Sequence, residues 1–188
     1  RGPERVNPFS IPTIIPNMGA AWVSMELGTR GPLGSQCTAC AASQMAIGEG
    51  LDAIRLGRAE VMLCGGSDAA ITRDGIAGFA ALRALSRRNA DPASASRPFD
   101  RDRDGFVMGE AGAILVLEEL EHAQERGAKI YAELLGYGVS SDANHVSDPD
   151  PTGENPARAL TMAFADAGIE PEEGEPGVFK DRHLLEGD

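Results

Sequence analysis

Aromatic residues, cysteines and long apolar runs are all scarce in this sequence. Phe, Trp and Tyr make up 5% of the 188 residues, which argues against a β-sandwich built on aromatic cross-strand pairs. The three cysteines are odd in number and too few for a disulfide framework. No apolar run approaches the roughly 18 residues that a transmembrane helix needs, and residues 1–5 hold no apolar signal core. These absences predict a protein that crosses no membrane and works in the reducing cytoplasm.

Positive charge is also in deficit. The chain has 17 Lys and Arg against 29 Asp and Glu, which gives a net charge of −12. Bulk electrostatics therefore disfavour nucleic acid and anionic membranes as partners. The hydrophobic fraction of 42% is ordinary for a globular protein and allows a sizeable core.

Apolar periodicity alternates between two kinds of element along the chain. Helical spacing runs from Met18 to a stop at Gly28, and again from Cys40 to Gly57. Two short apolar runs predict strands buried on both faces, at residues 60–64 and 113–117. Further elements are predicted as a helix over 118–126, a strand over 129–137 and a helix that begins with Asn155-Pro156 and ends at Gly168.

This alternation predicts an α/β fold with a mostly parallel sheet. Residues 67–108 show no strong periodicity and are rich in Arg, Asp and Ser. Such a long irregular stretch is usually functional rather than filler.

The stretch "SQCTACAASQMAIGEG" places Cys37 and Cys40 at the start of a predicted helix. The spacing matches half of a zinc site, but a closed site needs about four ligands. A thioredoxin-like redox pair is also disfavoured, because it expects an early βαβ unit and a bulkier insert than Thr38-Ala39. The remaining metal-ligand candidates are scattered: Cys64, His122, His145 and His183.

Two further interpretations of Cys40 stay open from the residues alone. Free cysteine is most often a small buried core residue. Cys40 also stands in the first turn of the predicted helix, where unpaired N–H groups and the helix dipole favour thiolate over thiol. Its small neighbours leave room for a substrate carbonyl, and a backbone N–H at that turn can hold an oxyanion. Spacing alone does not decide between an inert and a nucleophilic cysteine.

Four long motifs follow one another in a fixed order. They are "GPLGSQCTACAASQMAIGEGLDAIRLGRAEVMLCGGSDAAIT", "GFAALRALSRRN", "ASRPFDRDRDGFVMGEAGAILVLEELEHAQERGAKIYAELLGYGVSSDANH" and "NPARALTMAFADAGIEP". Together they resemble the β-ketoacyl-acyl-carrier-protein synthase II family of elongating condensing enzymes, over roughly residues 2–172. The resemblance favours the nucleophile interpretation of Cys40.

The resemblance implies a fold, a reaction and partners. The fold is the thiolase-like α/β fold with α-β-α-β-α layers, here incomplete, in an enzyme that works as a homodimer. Cys40 would take an acyl chain from acyl carrier protein as a thioester. Malonyl-acyl-carrier-protein would then lose CO₂, and the resulting carbanion would attack that thioester in fatty-acid elongation. No cofactor and no metal are required.

The resemblance also implies a division of the chain. Residues 1–128 would be the later part of an N-terminal thiolase-like half carrying the cysteine, 129–172 the start of a C-terminal half, and 173–188 a divergent tail. The family's catalytic histidine pair and lysine, in "AHGT"-like and "GHN"-like motifs, have no counterpart in the sequence. We therefore expect an internal portion of a longer enzyme that does not condense alone. The alternatives are an inactive piece that retains binding or dimerisation, and a polyketide-type ketosynthase relative.

Carrier docking is the last implied feature. Acyl carrier protein is acidic, so a basic docking mouth is expected. Arg5 and Arg88 match positions where the family carries docking cations, with Arg87 adjacent, and Ser147 matches a hydroxyl residue there. In "FDRDRDGF", Asp100, Asp102 and Asp104 are predicted to brace a loop through salt bridges rather than to bind metal.

Overall fold

The computed structural model describes residues 2–170, which divide between two units, Arg1–Glu118 and Glu119–Asp188. The first unit contains three helices and two strands, and the second contains two helices, among the described residues. The bounds are α1 Met18–Leu27, α2 Ala42–Arg55, β1 Val61–Asp68, α3 Arg73–Ala81, β2 Ala111–Glu118, α4 Leu120–Glu125 and α5 Glu154–Ala167.

The two strands of the first unit pair in antiparallel register, from Val61 opposite Glu118 to Asp68 opposite Ala111. The prediction of a mostly parallel sheet is therefore wrong for the described residues. The chain leaves β1 and re-enters β2 at directly opposite residues, so the connection between them acts as a long hairpin loop rather than as a crossover. The alternation of strands and helices in the sequence does not distinguish a hairpin connection from a crossover connection.

Helix α2 packs on this sheet and forms its core. Its buried residues are Gly48, Gly50, Leu51 and Ala53, and the buried strand residue is Cys64, which is 4% exposed. A Cβ on Gly50 would overlap the Cys64 sulfur and come within 3.2 Å of Leu117 Cδ1. The absence of a side chain at Gly50 thus lets the helix lie directly on both strands.

The predicted burial of the strands on both faces is wrong within residues 2–170. Only Cys64 is buried in β1, and Ile114, Leu115 and Val116 of β2 are at least half exposed. Helix α2 covers one face of the sheet, and no further strand pairs with β2 in the described part of the chain. Both strands are also longer than their apolar runs, since β1 continues through Gly65 and Gly66.

The connection predicted as irregular contains helix α3. The Thr72 hydroxyl accepts the Gly75 N–H at 3.0 Å, which caps the helix. The Ile71 N–H donates to Glu110 Oε1 at 2.8 Å and closes the base of the connection beside β2. The polar composition of residues 67–108 therefore did not predict this short capped helix.

In the second unit, the predicted strand over 129–137 is not a strand. A strand needs a ladder partner, and none pairs with this segment among the described residues. Instead Gly136 and Gly138 lie against α5, where a Cβ on Gly138 would sit 2.6 Å from the Ala163 nitrogen. Apolar alternation alone therefore did not identify the structure of this segment.

Most predicted helix ends are correct. Gly28 and Gly168 both adopt left-handed backbone at helix C-termini, as expected. Helix α5 starts slightly earlier than predicted, with Gly153 rather than Asn155 at its N-cap. No helix within residues 2–170 is long and apolar enough to span a bilayer. The predicted tail, 173–188, lies outside the described residues, as does His183.

Candidate active site around Cys40

Cys40 lies in a single 3-10 turn, Ala39–Ala41, that runs directly into α2. The sequence placed it inside the first α-helical turn, but the helix begins at Ala42. Tighter 3-10 turns are common at helix N-termini, where the first N–H groups have no partner a full turn back. Ala39 has a φ of +51°, which is unfavourable for a residue with a Cβ. Strain of this kind beside a nucleophile candidate points to a functional turn.

Side chains on both sides hold this turn against α2 and β1. The Gln36 amide donates to the Glu49 carboxylate, and the Thr38 hydroxyl donates to the Met45 sulfur at 3.0 Å. The segment leading to Cys40 therefore lies back along α2. On the other side, a Cβ on Gly66 would overlap the Ser43 hydroxyl, so the helix start rests on the carboxyl end of β1.

The thiol of Cys40 is exposed. Among residues 2–170, the Cys40 backbone N–H donates no hydrogen bond to another backbone group. The 14-residue helix α2 also directs the positive end of its dipole at the turn. An exposed sulfur beside an unpaired donor and a helix N-terminus is suited to attack a carbonyl and to hold the negative oxygen that results.

The structure separates the three cysteines. All are free thiols, with Cys37 and Cys40 exposed and Cys64 buried. Burial raises the pKa of the Cys64 thiol, which disfavours its thiolate form. The inert-core interpretation therefore describes Cys64 and not Cys40. In the described part of the chain, no group of three or more His, Cys, Asp or Glu side chains is arranged to hold a metal ion.

The candidate docking cation Arg88 belongs to a braced loop that follows α3. Asp104 accepts the Ser86 hydroxyl at 2.6 Å and the Arg87 N–H at 2.9 Å. The Ser86 backbone N–H also donates to the Phe106 carbonyl at 3.0 Å. Arg88 is half-buried beside this carboxylate, and its N–H donates to the Ser86 hydroxyl at 3.3 Å.

The aspartate motif braces this loop mainly through hydrogen bonds. Asp100 accepts the Asp102 N–H at 2.7 Å, and the Arg103 guanidinium donates to the Asp100 carbonyl at 2.8 Å. An ion pair joins Arg101 to Asp102 at 3.3 Å, but both side chains are largely exposed, so it contributes little to stability. The predicted bracing is present, and hydrogen bonds carry more of it than salt bridges.

The other two predicted docking residues lie on exposed segments. Arg5 ends a 3-10 turn, Pro3–Arg5, in the first unit. Ser147 is exposed in the second unit, where its N–H donates to His145 Nδ1 at 3.2 Å. His145 Nδ1 also accepts the Asp148 N–H at 3.3 Å, so this histidine organises a loop.

Sequence reasoning missed Ala39, Ser86 and Glu110 as residues that shape these sites. Glu110 stands just before an apolar run, and this position in the sequence does not indicate that its carboxylate accepts a backbone N–H from Ile71. The conformation of Ala39 could not be found from sequence either, because alanine carries no preference for positive φ.

The bracing by Asp104 predicts a pH-dependent stability. The pKa of Asp104 is held below its ordinary value, first by the Ser86 hydrogen bond, then by the Arg87 N–H and to a lesser extent by the charge of Arg88. The stabilisation is therefore complete above the ordinary carboxyl pKa of about 3.9 and is lost as pH falls through the lowered pKa. We expect Asp104→Asn to unfold at lower urea than the parent at pH 6, with the difference shrinking below about pH 4.

The matched control for this measurement is Asp102→Asn, which removes an exposed carboxylate from the same motif. It should leave the urea midpoint nearly unchanged at both pH values. An Asp104→Asn difference that stays constant down to acid pH would contradict the role given to the ionised carboxylate.

Two sequence profiles match the chain. The profile described as "Beta-ketoacyl synthase, N-terminal domain" matches residues 1–123, and "Beta-ketoacyl synthase, C-terminal domain" matches residues 131–173.

Curated relatives match most of this chain but less than half of their own length. A 3-oxoacyl-[acyl-carrier-protein] synthase 2 from Synechocystis sp. is 52% identical over 172 residues, which is 92% of this chain and 41% of the relative. A protein of the same name from Staphylococcus aureus is 51% identical over 173 residues, 92% of this chain and 43% of the relative. The chain thus spans about two fifths of these relatives.

Solved structures give the same picture. One solved structure is that of a type II PKS acyl-carrier protein in complex with its ketosynthase bound to the hexaketide. It includes a chain that matches this one with a TM-score of 0.85 and 39% identity, and the match covers 90% of this chain and 42% of that one. A β-ketoacyl synthase from Burkholderia phymatum STM815 has a TM-score of 0.81 and 39% identity, covering 87% and 40%. Likeness at this level confirms the predicted thiolase-like α/β fold.

Proposed function

The chain belongs to the β-ketoacyl synthase family, and from that premise we propose that Cys40 accepts an acyl group as a thioester. The observation that carries the proposal is the exposure of this sulfur on the strained turn before α2, beside its own unpaired N–H among the described residues. Cys64 is buried, and Cys37 precedes the turn. Of the three thiols, Cys40 alone combines access with a helix N-terminus.

The acyl transfer follows from this arrangement. The Cys40 thiolate attacks the carbonyl carbon of a carrier-bound thioester, and a new S–C bond forms. The carbonyl oxygen becomes negative in the tetrahedral intermediate, where the Cys40 N–H and the start of α2 stabilise it. Collapse breaks the bond to the carrier sulfur, which leaves as a thiolate and takes up a proton. The acyl group stays activated as a thioester.

For the longer proteins that this chain resembles, we propose the complete decarboxylative condensation of fatty-acid elongation. The relatives' name, 3-oxoacyl-[acyl-carrier-protein] synthase 2, supports this reaction. The histidine pair and lysine that the resemblance implies for decarboxylation have no counterpart among these 188 residues. We therefore assign acyl acceptance to this chain and the condensation to a cytoplasmic homodimer of the longer protein.

The second candidate is a polyketide-type ketosynthase, which the likeness to the type II PKS complex favours. Both classes share one fold, so a TM-score does not separate them. The higher identity to the Synechocystis synthase, 52% against 39% to the PKS chain, supports the elongating class. Fatty-acid elongation is thus the better supported reaction.

The proposed division of the chain follows the same likeness. The predicted boundary between residues 128 and 129 falls between the two profile matches, which end at 123 and begin at 131. The division of the structure into its two units comes earlier, after Glu118. The boundary at 128 stays a prediction.

The experiment that tests the function is transfer of an acyl group from acyl carrier protein to the 188-residue chain. Intact mass should rise by one acyl group, and peptide mapping should place it on Cys40. An adduct on Cys37 or Cys64 would overturn the assignment, and the absence of any adduct would favour the alternative of a piece that only binds or dimerises.

We further propose acyl carrier protein as the partner, with Arg5, Arg88 and Ser147 as docking residues. The chain as a whole is strongly acidic, at −12, so an acidic carrier must approach a local basic surface. Arg5 is exposed, and Arg88 is held on a loop that is already braced before any partner binds. A braced loop loses less backbone entropy on docking than a mobile one.

Reversing the charge at Arg88 should weaken carrier binding. We expect Arg88→Glu to raise the Kd about tenfold at low salt, since attraction to the carrier becomes repulsion. Fluorescence anisotropy of a labelled carrier, titrated with the chain at low and at 0.5 M salt (about a 4 Å Debye length), measures this change. The difference should shrink at high salt.

The control for this docking test is Arg58→Glu, which reverses an exposed charge at the end of α2. It should shift the Kd far less than Arg88→Glu. Equal affinity of the Arg88→Glu variant and the parent at low salt would remove Arg88 from the docking surface.

A further inference from the structure

Cys37 is a second exposed thiol, which the proposed acyl transfer does not use. It lies three residues before Cys40, and both cysteines are free and exposed. Two accessible thiols in Cys-x-x-Cys spacing can be joined by a disulfide when the backbone between them is folded. The conformation of Thr38 and Ala39 therefore decides what this pair can do.

The backbone between the two cysteines is folded. Thr38 has a φ of −114° and a ψ of 35°, and Ala39 has a φ of +51°, so neither residue is extended. The Ala41 N–H donates to the Thr38 carbonyl at 3.2 Å, which closes the turn around Cys40. In an extended chain, Cα atoms three residues apart are separated by about 10 Å, whereas a disulfide needs about 4.4–6.8 Å. The turn therefore brings the two cysteines toward bonding distance.

The segment that carries Cys37 is attached to α2 on both sides of this residue. The Gln36 amide donates to the Glu49 carboxylate, and the Thr38 hydroxyl donates to the Met45 sulfur at 3.0 Å. The backbone of Cys37 is therefore held beside the first two turns of the helix. Closing a disulfide within a segment that is already held costs less conformational entropy than closing one between mobile ends.

Cys64 is not an alternative partner for Cys40. It is buried against Gly50, which lies eight residues beyond the start of α2 at Ala42. A helix rises about 1.5 Å per residue, so Gly50 lies about 12 Å along α2, beyond the reach of a disulfide from the turn. All three cysteines lie within residues 2–170, and Cys37 is therefore the available partner.

We propose that Cys37 and Cys40 form a reversible modification site, at which hydrogen peroxide joins the two sulfurs in a disulfide. The Cys40 thiolate attacks one peroxide oxygen, so that an S–O bond forms, the O–O bond breaks, and the hydroxide that leaves takes up a proton. Peroxide is thereby reduced, and Cys40 is oxidised to a sulfenic acid. The Cys37 sulfur then attacks the Cys40 sulfur. The S–S bond forms, the S–O bond breaks, and the departing hydroxide takes the Cys37 proton to give a second water.

The disulfide protects the sulfur that carries the acyl group, and this consequence rests on the proposed function. While the disulfide is closed, Cys40 cannot accept an acyl group, and a small thiol restores it by exchange. A sulfenic acid with no neighbouring thiol is oxidised further to sulfinic and sulfonic acids, which small thiols do not reduce. The site requires no βαβ unit, so it differs from the thioredoxin-like pair that the sequence disfavours.

The experiment treats the reduced 188-residue chain with hydrogen peroxide and follows intact mass, with peptide mapping in the absence of reductant. The parent should lose the mass of two hydrogen atoms, and the mapped link should join Cys37 to Cys40. Dithiothreitol should then restore both thiols and acyl transfer from acyl carrier protein. Cys37→Ala should instead gain two or three oxygen atoms at Cys40, with no recovery in dithiothreitol. Cys64→Ala is the control and should behave as the parent does.

Three results would overturn the modification site. They are oxidation of Cys40 to a sulfinic acid as fast in the parent as in Cys37→Ala, a disulfide to Cys64, and a disulfide between two chains. The proposed function fails separately, if the reduced parent accepts no acyl group from the carrier. A link between Cys37 and Cys40 that forms in such a chain supports the modification site and removes only its effect on acyl transfer.

Discussion

Replacing Cys40 with alanine is expected to abolish acyl transfer from a carrier thioester and to remove the fast phase of alkylation by iodoacetamide. The reason is that the chain offers one thiol that is both exposed and set at a helix N-terminus. Cys64 should react more slowly than Cys40, by a factor on the order of a hundred or more. Burial excludes the reagent until the sheet opens locally, and it also raises the pKa of the Cys64 thiol, which disfavours the thiolate. Intact mass against time, followed by peptide mapping, measures each site.

Cys37→Ala is the matched control for this result. It removes the other exposed thiol from the same segment and leaves the turn Ala39–Ala41 in place. Acyl transfer and the fast alkylation should both persist in this variant. If Cys37 instead carried the fast phase, exposure alone would set the reactivity, and the strained turn would have no chemical role.

The contrast between these cysteines shows what the sequence could predict about the site. The spacing of Cys37 and Cys40 was compatible with metal, redox, core and nucleophile roles, because spacing does not report burial. The ordered motifs selected the nucleophile, and the structure adds the exposure of Cys40 and the conformation of Ala39. The roles of Arg5, Arg88 and Ser147 stay predictions, since no carrier is present to contact them.

Local signals predicted the helices well. Helices α1 and α2 begin and end near their predicted residues, because apolar periodicity and glycine stops act within one element. The direction of the sheet and the burial of β2 were wrong, since both depend on which distant segment returns to pair. Helix α3 was missed although Thr72 gives a capping signal, because its apolar face is short.

Replacing Gly50 with alanine should destabilise the first unit, although alanine is the better helix former. The new methyl group would overlap the Cys64 sulfur and crowd Leu117. Overpacking of a core typically costs about 1–3 kcal/mol, and the gain in helix propensity offsets about 0.5–1 kcal/mol of that. We expect a net loss of about 1–2 kcal/mol in the free energy of unfolding, measured by urea denaturation.

A double-mutant cycle with Cys64 identifies the cause of that loss. Cys64→Ala removes the sulfur that the new methyl group would meet. The double variant, Gly50→Ala with Cys64→Ala, should therefore be more stable than the sum of the single effects by about 1–2 kcal/mol. Additive single effects would show that the destabilisation does not come from this contact.

Gly78 provides the control within the same unit. It also lies inside a helix, α3, but a Cβ there would meet nothing within 4 Å. Gly78→Ala should therefore stabilise the chain by about 0.5–1 kcal/mol, since only the propensity term remains. Opposite signs for the two substitutions would locate the difference in the packing of α2 on the sheet. If Gly50→Ala were also stabilising, α2 would have to be free to move away from β1, and the position of the Cys40 turn over the end of that strand would not be fixed.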